Sequence, residues 1–213
     1  MNIQHKKLIL LDLDGTIVDT AQDICSAMNQ ALVALNLQQV TEDQIRQWIG
    51  KGTKQLCLDI LKHQKSNQDV AELINTYLQA YKNNVCIYSQ PYAGVMSFLT
   101  FCQKQHYYLA CVTNKPYDLA QKLLYQLGLN HYFNLVIGGD TLPQRKPDPL
   151  PLYHAMQYFD ITKEQTVMIG DSSNDILAAQ QAGIDCIAVT YGYNHGEKIT
   201  HPHQVNSLNK LIF

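Results

Sequence analysis

Two aspartates, separated by one residue, follow the first apolar run of the chain. Residues 8–11 are continuously apolar, which is typical of a strand buried on both faces, and Asp12-Leu13-Asp14-Gly15-Thr16 comes directly after them. Side chains at positions i and i+2 of an extended chain point to the same side. One carboxylate can attack an electrophile, and a second can protonate the leaving oxygen and later take a proton from water. The pair could therefore supply both groups to one reaction.

Polar residues also follow three later apolar runs. They are Thr113-Asn114-Lys115 after 107–112, the loop from Gly138 to Pro147 that contains Lys146 after 135–137, and Gly170-Asp171-Ser172-Ser173-Asn174-Asp175 after 167–169. In open parallel sheets, ligands bind beyond the carboxyl ends of the strands. If the four runs are parallel strands, two acidic clusters, a hydroxyl and a lysine meet at one edge of the sheet.

The gathered residue types indicate phosphoryl transfer. Two acidic clusters repel each other unless a divalent cation lies between them, and oxygen ligands of this kind suit Mg²⁺. Mg²⁺ also binds phosphate oxygens and neutralises charge during phosphoryl transfer. A lysine adds a point charge, and a threonine with backbone N–H groups adds donors to a phosphate.

The pattern of elements predicts an α/β fold, a Rossmann-like parallel sheet with a small all-helical cap domain inserted after the first strand. Between Thr16 and Tyr88 the glycines are Gly50 and Gly52, and no proline occurs, so this region can be almost wholly helical. After Pro91, short apolar runs alternate with helical stretches, which implies a parallel sheet covered by helices. We expect a core of residues 1–15 and 87–213 and a cap of residues 16–86.

The element boundaries follow from periodicity and end signals. A capping box at Thr41–Gln44 opens the second helix. Helices are predicted over 20–35, from 41, over 53–63, 68–83, 116–127 and 173–182, and strands over 8–13, 107–112, 135–137, 166–169 and 184–189.

Composition excludes several classes of protein. The 213 residues are 46% hydrophobic and 16% charged, with a net charge of −2 and a pI of about 6.4. A chain of this kind builds a core, and it lacks the basic excess of proteins that bind nucleic acid or anionic membranes. No apolar run is long enough for a signal peptide or a membrane helix, so we expect a cytoplasmic monomer or homodimer. The six cysteines form no C-x-x-C pair and are expected to be reduced, mostly buried thiols.

The motifs resemble those of haloacid-dehalogenase-superfamily phosphatases. Asp12-x-Asp14-Gly15-Thr16 is similar to the first motif, and Thr113-Asn114, Lys146 and Gly170-Asp171-x-x-Asn174-Asp175 follow in the expected order over essentially the whole chain. The resemblance implies an aspartyl-phosphate intermediate. Its site would comprise the nucleophile Asp12, the general acid and base Asp14, the phosphate-binding residues Gly15, Thr113, Asn114 and Lys146, and a Mg²⁺ site formed by Asp12, the carbonyl of Asp14, Asp171 and, in a supporting position, Asp175.

Three stretches resemble phosphoglycolate phosphatases more narrowly. They are Val112-Thr113-Asn114-Lys115-Pro116, the loop of residues 138–149, and Trp48-Ile49-Gly50-Lys51-Gly52 in the cap. The resemblance implies hydrolysis of 2-phosphoglycolate to glycolate and phosphate. We also expect the cap to close over the core, with the loop at Gly50 and Gly52 facing the site.

Other functions share parts of this pattern. A phosphomutase, or a phosphatase acting on sugar phosphates, nucleotides or pyrophosphate, would use the same two aspartates, whereas a dehalogenase needs no acid at Asp14. A non-catalytic phosphate-binding regulatory module is disfavoured by the intact set of chemical groups. The roles of four further residues stay open: Asp140 as a ligand or a loop-ordering residue, and Lys51, Lys54 and Lys115 as substrate contacts or solvated charges.

Overall fold

A parallel sheet of six strands forms the centre of the molecule. The computed structural model describes residues 3–194 and 199–213. The strand order is β5-β4-β1-β6-β7-β8, and a separate two-stranded ribbon joins β2 and β3. The strands are β1 Leu8–Leu11, β2 Val18–Asp19, β3 Gln90–Pro91, β4 Tyr108–Val112, β5 Leu135–Ile137, β6 Thr166–Gly170, β7 Asp185–Val189 and β8 Gln204–Val205.

Helices cover the sheet and form an additional block after β1. They are α1 Ala21–Ala34, α2 Glu42–Trp48, α3 Thr53–His63, α4 Val70–Asn83, α5 Val95–Lys104, α6 Tyr117–Gln126, α7 Leu150–Phe159 and α8 Ser173–Ala182. The predicted α/β fold with a parallel sheet covered by helices is therefore confirmed. Helices α5 and α7 and the short strands β2, β3 and β8 were not anticipated.

The central position of β1 places its carboxyl end at the middle of one sheet edge. Strand β1 pairs in parallel with β4 on one side, where Leu11 is opposite Cys111, and with β6 on the other, where Leu11 is opposite Ile169. Every side chain of β1 is buried, as its apolar sequence requires. The loops after β1, β4, β5 and β6 therefore meet at this edge.

Strand β1 ends two residues earlier than predicted. The carbonyl of Leu13 accepts hydrogen bonds from the N–H groups of Thr16, Ile17 and Val18, at 3.1–3.3 Å. These bonds close a tight turn, and the chain leaves the sheet at Asp12. The apolar side chain of Leu13 is buried in this turn rather than in the strand.

Helices α1 to α4 form the helical block, which the β2–β3 ribbon brackets. Val18 pairs with Pro91 in the ribbon, so the chain enters and leaves the block at adjacent points. The carboxylate of Asp23 accepts the N–H groups of Ile87, Tyr88 and Ser89 at 2.8–3.1 Å, which fixes the returning chain against α1. The four predicted helices of this block are all present.

Two expectations from composition can be compared with the fold. All six cysteines are free, and five of them are buried, as predicted. None of the helices in the described part of the chain combines the length and the apolar character needed to cross a bilayer.

Candidate active site

Asp12, Lys146 and Asp175 meet at the carboxyl edge of the sheet. The Nζ atom of Lys146 lies 3.1 Å from Oδ1 of Asp12 and donates to Oδ1 of Asp175 at 2.6 Å. All three side chains are buried. The loops after β1 and β5 and the first turn of α8, which follows β6, thus bring together one cation and two carboxylates.

A cluster of three buried carboxylates lies beside this lysine. Asp12, Asp171 and Asp175 each offer one oxygen, and these oxygens all lie within 4.8 Å of one another. Asp171 is held on both sides, because the Thr16 hydroxyl donates to its Oδ1 and the Tyr193 N–H donates to its Oδ2. A set of hard oxygen atoms in a fixed, crowded arrangement fits a divalent cation such as Mg²⁺.

Glycines create the room for these carboxylates. Gly15 has a φ of +85°, and a Cβ atom at Gly15 or Gly192 would collide with the side chain of Asp171. A Cβ atom at Gly170 would collide in the same way with Asp175. The cradle around the two acids therefore tolerates no side chain at these positions. The positive φ at Gly15 also lets the chain turn sharply away from the sheet after Asp14.

The pKa values of the site reflect burial and mutual repulsion. Burial raises the pKa of Asp12 well above its ordinary value, and the negative charges of Asp175 and Asp171 add to this effect although Lys146 opposes it. Burial and then Asp175 raise the pKa of Asp171 to about 7. Burial alone would lower the pKa of Lys146, but Asp12 and Asp175 more than offset it and raise that pKa. A cation bound between the acids would relieve this repulsion.

The Asp14 side chain points away from the three-carboxylate cluster. Its Oδ1 accepts a hydrogen bond from the Thr20 hydroxyl at 2.7 Å and lies 2.9 Å from Nζ of Lys115. The carboxylate thus faces the helical block, where a leaving group could sit. This orientation is compatible with the implied metal contact through the backbone carbonyl of Asp14 alone.

The Asn114 side chain connects the core to the helical block. Its Nδ2 donates to the carbonyl of Gly50 at 2.9 Å and to the carbonyl of Lys146 at 2.8 Å. Asn174 donates to the same Gly50 carbonyl at 3.2 Å. Both protons of the Asn114 amide are therefore used by main-chain acceptors, so a phosphate contact through these donors, as the sequence implied, has no free proton in this arrangement. The neighbouring Thr113 hydroxyl accepts the N–H of Lys115 at 3.2 Å.

A cavity of about 40 Å³ separates the core from the helical block. Asp12 and Asp14 lie on its core side, and Gly50 and Gly52 lie on the opposite side, as predicted for the glycine loop. The other lining residues are Thr113, Asn114, Lys115, Pro116 and Leu119 from the core and Ile24, Ile49, Thr53, Leu56, Tyr77 and Tyr81 from the helical block.

The structure distinguishes between the alternative roles of the four residues that the sequence had left open. Lys51 and Lys54 are exposed and do not line the cavity, which favours solvated charges. Asp140 is also exposed, and its Oδ1 accepts the N–H of Tyr117 at the start of α6, so it orders its loop. Lys115, in contrast, is buried beside the cavity.

Known proteins share both the sequence and the fold. The family model for haloacid dehalogenase-like hydrolases matches residues 9–189. The chain belongs to the haloacid dehalogenase-like hydrolase family. Its relatives include a phosphoglycolate phosphatase of Colwellia psychrerythraea, 41% identical over 93% of this chain and 91% of the relative, and one of Nitrosococcus oceani, 36% identical over 99% and 95%.

Solved structures agree with this assignment. A crystal structure described as a predicted phosphoglycolate phosphatase from Haemophilus somnus superimposes with a TM-score of 0.91 and 32% sequence identity, covering 97% of this chain and 96% of that one. The likeness therefore extends over nearly the whole chain, including the helical block.

Tyr193 of this haloacid dehalogenase-like hydrolase was not anticipated as a site residue. Its hydroxyl accepts the N–H groups of Thr20, at 2.6 Å, and Ala21, at 2.9 Å, and donates to Asp19 at 2.9 Å, while its own N–H holds Asp171. One residue thus connects an acid of the cluster to the segment that enters the helical block. No local motif marks Tyr193, because the partners of its hydroxyl group are more than 170 positions away in sequence.

We expect Tyr193→Phe to lower the free energy of unfolding by about 2–4 kcal/mol, because two buried N–H groups lose their acceptor. For a chain of this size, the melting temperature should fall by roughly 4–16 °C. Tyr153→Phe is the matched control, since the exposed Tyr153 donates a single hydrogen bond, to the Gln181 carbonyl. Thermal unfolding of both variants measures the difference, and equal small shifts would show that the Tyr193 hydroxyl does not anchor the segment.

Proposed function

We propose that this hydrolase cleaves 2-phosphoglycolate to glycolate and inorganic phosphate through an aspartyl-phosphate on Asp12. The observation that carries the proposal is the placement of two separated carboxylates, Asp12 beside Lys146 and Asp14 beside Lys115, on one wall of a small cavity between the core and the helical block. The names of the relatives support the choice of substrate.

The first step uses both aspartates. A carboxylate oxygen of Asp12 attacks phosphorus, and the bond from phosphorus to the glycolate oxygen breaks. The electron pair stays on that oxygen, which takes a proton from Asp14. Lys146, held by Asp12 and Asp175, keeps a positive charge beside the nucleophile and the equatorial phosphate oxygens.

The second step hydrolyses the intermediate. Asp14, now ionised, takes a proton from water, and the resulting hydroxide attacks phosphorus. The bond from phosphorus to the Asp12 oxygen breaks, which restores the carboxylate and releases phosphate. Thr113 lies on the cavity wall beside Asp12 and can donate its hydroxyl proton to phosphate in both steps.

Asp12, Asp171 and the carbonyl of Asp14 would hold Mg²⁺, and Asp175 would support the site. When bound, Mg²⁺ supplies positive charge that neutralises the carboxylate cluster and the phosphate oxygens. The glycine cradle and the two hydrogen bonds to Asp171 support this assignment, because they fix the ligand oxygens before the ion arrives.

Residues 16–86 would act as a cap that opens and closes. The Gly50 carbonyl bonded to Asn114 and Asn174 is a contact of a closed arrangement. Closure excludes water during attack on phosphorus, and opening lets glycolate leave and water enter. We further propose that the enzyme works in the cytoplasm, as a monomer or a homodimer.

A panel of phosphate esters tests the substrate. With Mg²⁺ present, kcat/KM for 2-phosphoglycolate should exceed that for glucose 6-phosphate and AMP by about 100-fold or more, because glucose and adenosine are much larger leaving groups than glycolate and the cavity is small. Pyrophosphate, which is similar in size to 2-phosphoglycolate, tests discrimination by chemistry rather than by size. Release of free phosphate is the readout. A higher kcat/KM for any of these three compounds would rule out phosphoglycolate as the preferred substrate, although it would leave the phosphatase chemistry intact.

A further inference from the structure

Lys115 is a buried cation whose partners come from both sides of the cavity. Its side chain is 3% exposed, and its Nζ lies 2.9 Å from the Asp14 carboxylate of the core. The same Nζ donates to the Tyr81 hydroxyl of the helical block at 2.6 Å and lies 4.6 Å from the centre of the Tyr81 ring. Burying an ammonium group is costly unless it is well paired, so a lysine in this place calls for an explanation.

The rest of the cavity is poorly suited to a charged leaving group. Its far wall is made mainly of apolar and aromatic side chains, with Tyr77 stacked on Tyr81 at a ring distance of 5.5 Å. Among the lining residues of the described chain, Lys115 is the cation. Lys51 and Lys54, which the sequence had offered as carboxylate contacts, are exposed and outside the cavity.

The position of Lys115 relative to the two aspartates determines which part of the substrate it can contact. In the proposed reaction, phosphorus lies at Asp12 and the departing oxygen lies at Asp14, so the remainder of the leaving group lies beyond Asp14, beside Lys115. An ammonium group has three protons, and the Asp14 and Tyr81 oxygens account for two of them. The third can be donated to an anionic group of the substrate.

We infer that Lys115, supported by Tyr81, is the specificity-determining residue that binds the carboxylate of a short 2-phospho acid. This inference rests on the proposed function and deepens it. The small cavity limits the chain between the phosphate and the carboxylate, and the buried cation favours a carboxylate over a neutral group at its end. Because Tyr81 belongs to α4, the cavity is complete only when the helical block lies against the core.

A matched pair of substrates tests the inference. 2-Phosphoglycolate and 2-hydroxyethyl phosphate have nearly the same size, but the second has a hydroxymethyl group instead of the carboxylate. Lys115→Met should lower kcat/KM for 2-phosphoglycolate about 100-fold more than for 2-hydroxyethyl phosphate, since a charge-assisted hydrogen bond is lost with the first alone. Any effect that acts through Asp14 lowers both values equally and cancels in the ratio.

Two further measurements show whether misfolding of Lys115→Met explains its loss of activity. Tyr81→Phe keeps the ring and removes the hydroxyl, and it should shift the same ratio by about 5-fold to 10-fold. Competitive inhibition by glycolate should weaken about 100-fold in Lys115→Met, and it involves no chemical step. Lys54→Met is the control and should change neither quantity.

The possible results separate the role of Lys115 from the proposed activity towards 2-phosphoglycolate. In one case, the wild-type enzyme hydrolyses 2-phosphoglycolate while Lys115→Met and Tyr81→Phe leave both the substrate ratio and the inhibition by glycolate unchanged. That result would show that Lys115 does not bind the substrate carboxylate. If the wild-type enzyme shows no preference for 2-phosphoglycolate over 2-hydroxyethyl phosphate, the proposed substrate itself fails.

Discussion

Replacing Asp12 by asparagine is expected to reduce turnover by about 10⁴-fold to 10⁶-fold, the range seen when a covalent nucleophile is removed. In the wild-type protein, the Leu13 N–H donates to Oδ1 of Asp12 at 2.7 Å. The side-chain oxygen of asparagine can accept the same hydrogen bond, so the local backbone should not move. It has no carboxylate to attack phosphorus. Steady-state phosphate release and acid-quenched transfer of labelled phosphate to the protein measure the loss, and both should vanish together.

The same variant should be more stable than the wild-type protein when no metal is present. The environment of Asp12 disfavours its charged form, as the raised pKa shows, so a neutral side chain removes a cost. A rise of a few degrees, about 2–6 °C, in the metal-free melting temperature would exclude misfolding as the cause of inactivity. Asp59→Asn on α3 makes the same chemical change away from the cavity and should leave turnover intact. Phosphate release by Asp12→Asn at the wild-type rate would refute the nucleophile assignment.

Removal of Mg²⁺ is expected to reduce activity by about 10³-fold or more, because the ion supplies several kcal/mol of charge stabilisation. Chelation followed by titration with Mg²⁺ measures this loss and its reversal. Activity that survives complete chelation would contradict the metal site. The same ion should raise the melting temperature, since it binds the folded chain in preference to the unfolded one.

The stabilisation by Mg²⁺ should depend on pH in a defined direction. Asp12 and Asp171 have raised pKa values in the folded protein, so the folded state binds more protons than the unfolded state. Their contribution to metal-free stability is therefore fully present below an unfolded pKa near 3.8 and is lost as pH rises through about 7 for Asp171. Mg²⁺ requires ionised ligands, so its stabilising effect should be larger at pH 8 than at pH 5.

Asp171→Asn isolates this contribution. Without metal, its melting temperature relative to the wild-type protein should rise as the pH is raised from 5 to 8, because the variant lacks the charge that becomes costly. With Mg²⁺ present, the wild-type protein should have the higher melting temperature, since the variant lacks one of the metal ligands. A difference between the two proteins that stays constant with pH would show that Asp171 is ionised in the folded state throughout this range.

Much of the fold could be read from local patterns. The strand over 135–137 and the helix over 173–182 have the predicted bounds, because apolar runs and capping residues act over a few positions. The meeting of Asp12, Lys146, Asp171 and Asp175 followed from one topological rule about parallel strands. The two-residue strands β2 and β3 carry too little sequence to show a period, and α5 and α7 were overlooked although Gly94 and Pro149 mark their starts.

The remaining parts of the site depend on contacts between distant residues. Sequence spacing could not show that Tyr81 meets Lys115, because the two lie on opposite sides of the cavity and come together through tertiary packing. The Asn114 side chain was expected to bind phosphate, but its amide protons reach the carbonyls of Gly50 and Lys146. A motif identifies a residue type and its order in the chain, whereas the direction of a side chain depends on which acceptors the packed structure offers.

The two hydrogen bonds from Asn114 and Asn174 to the Gly50 carbonyl separate the proposed closing movement from the choice of substrate. Their acceptor is a main-chain oxygen, so substitutions that reshape the helical block leave the acceptor in place. The donors belong to the core: Asn114 lies in the loop after β4, and Asn174 lies in the first turn of α8, after β6. Evolutionary substitutions of Ile49, Leu56 or Tyr77 could therefore change which leaving group the cavity accepts. The main-chain contact of the proposed closure would stay the same.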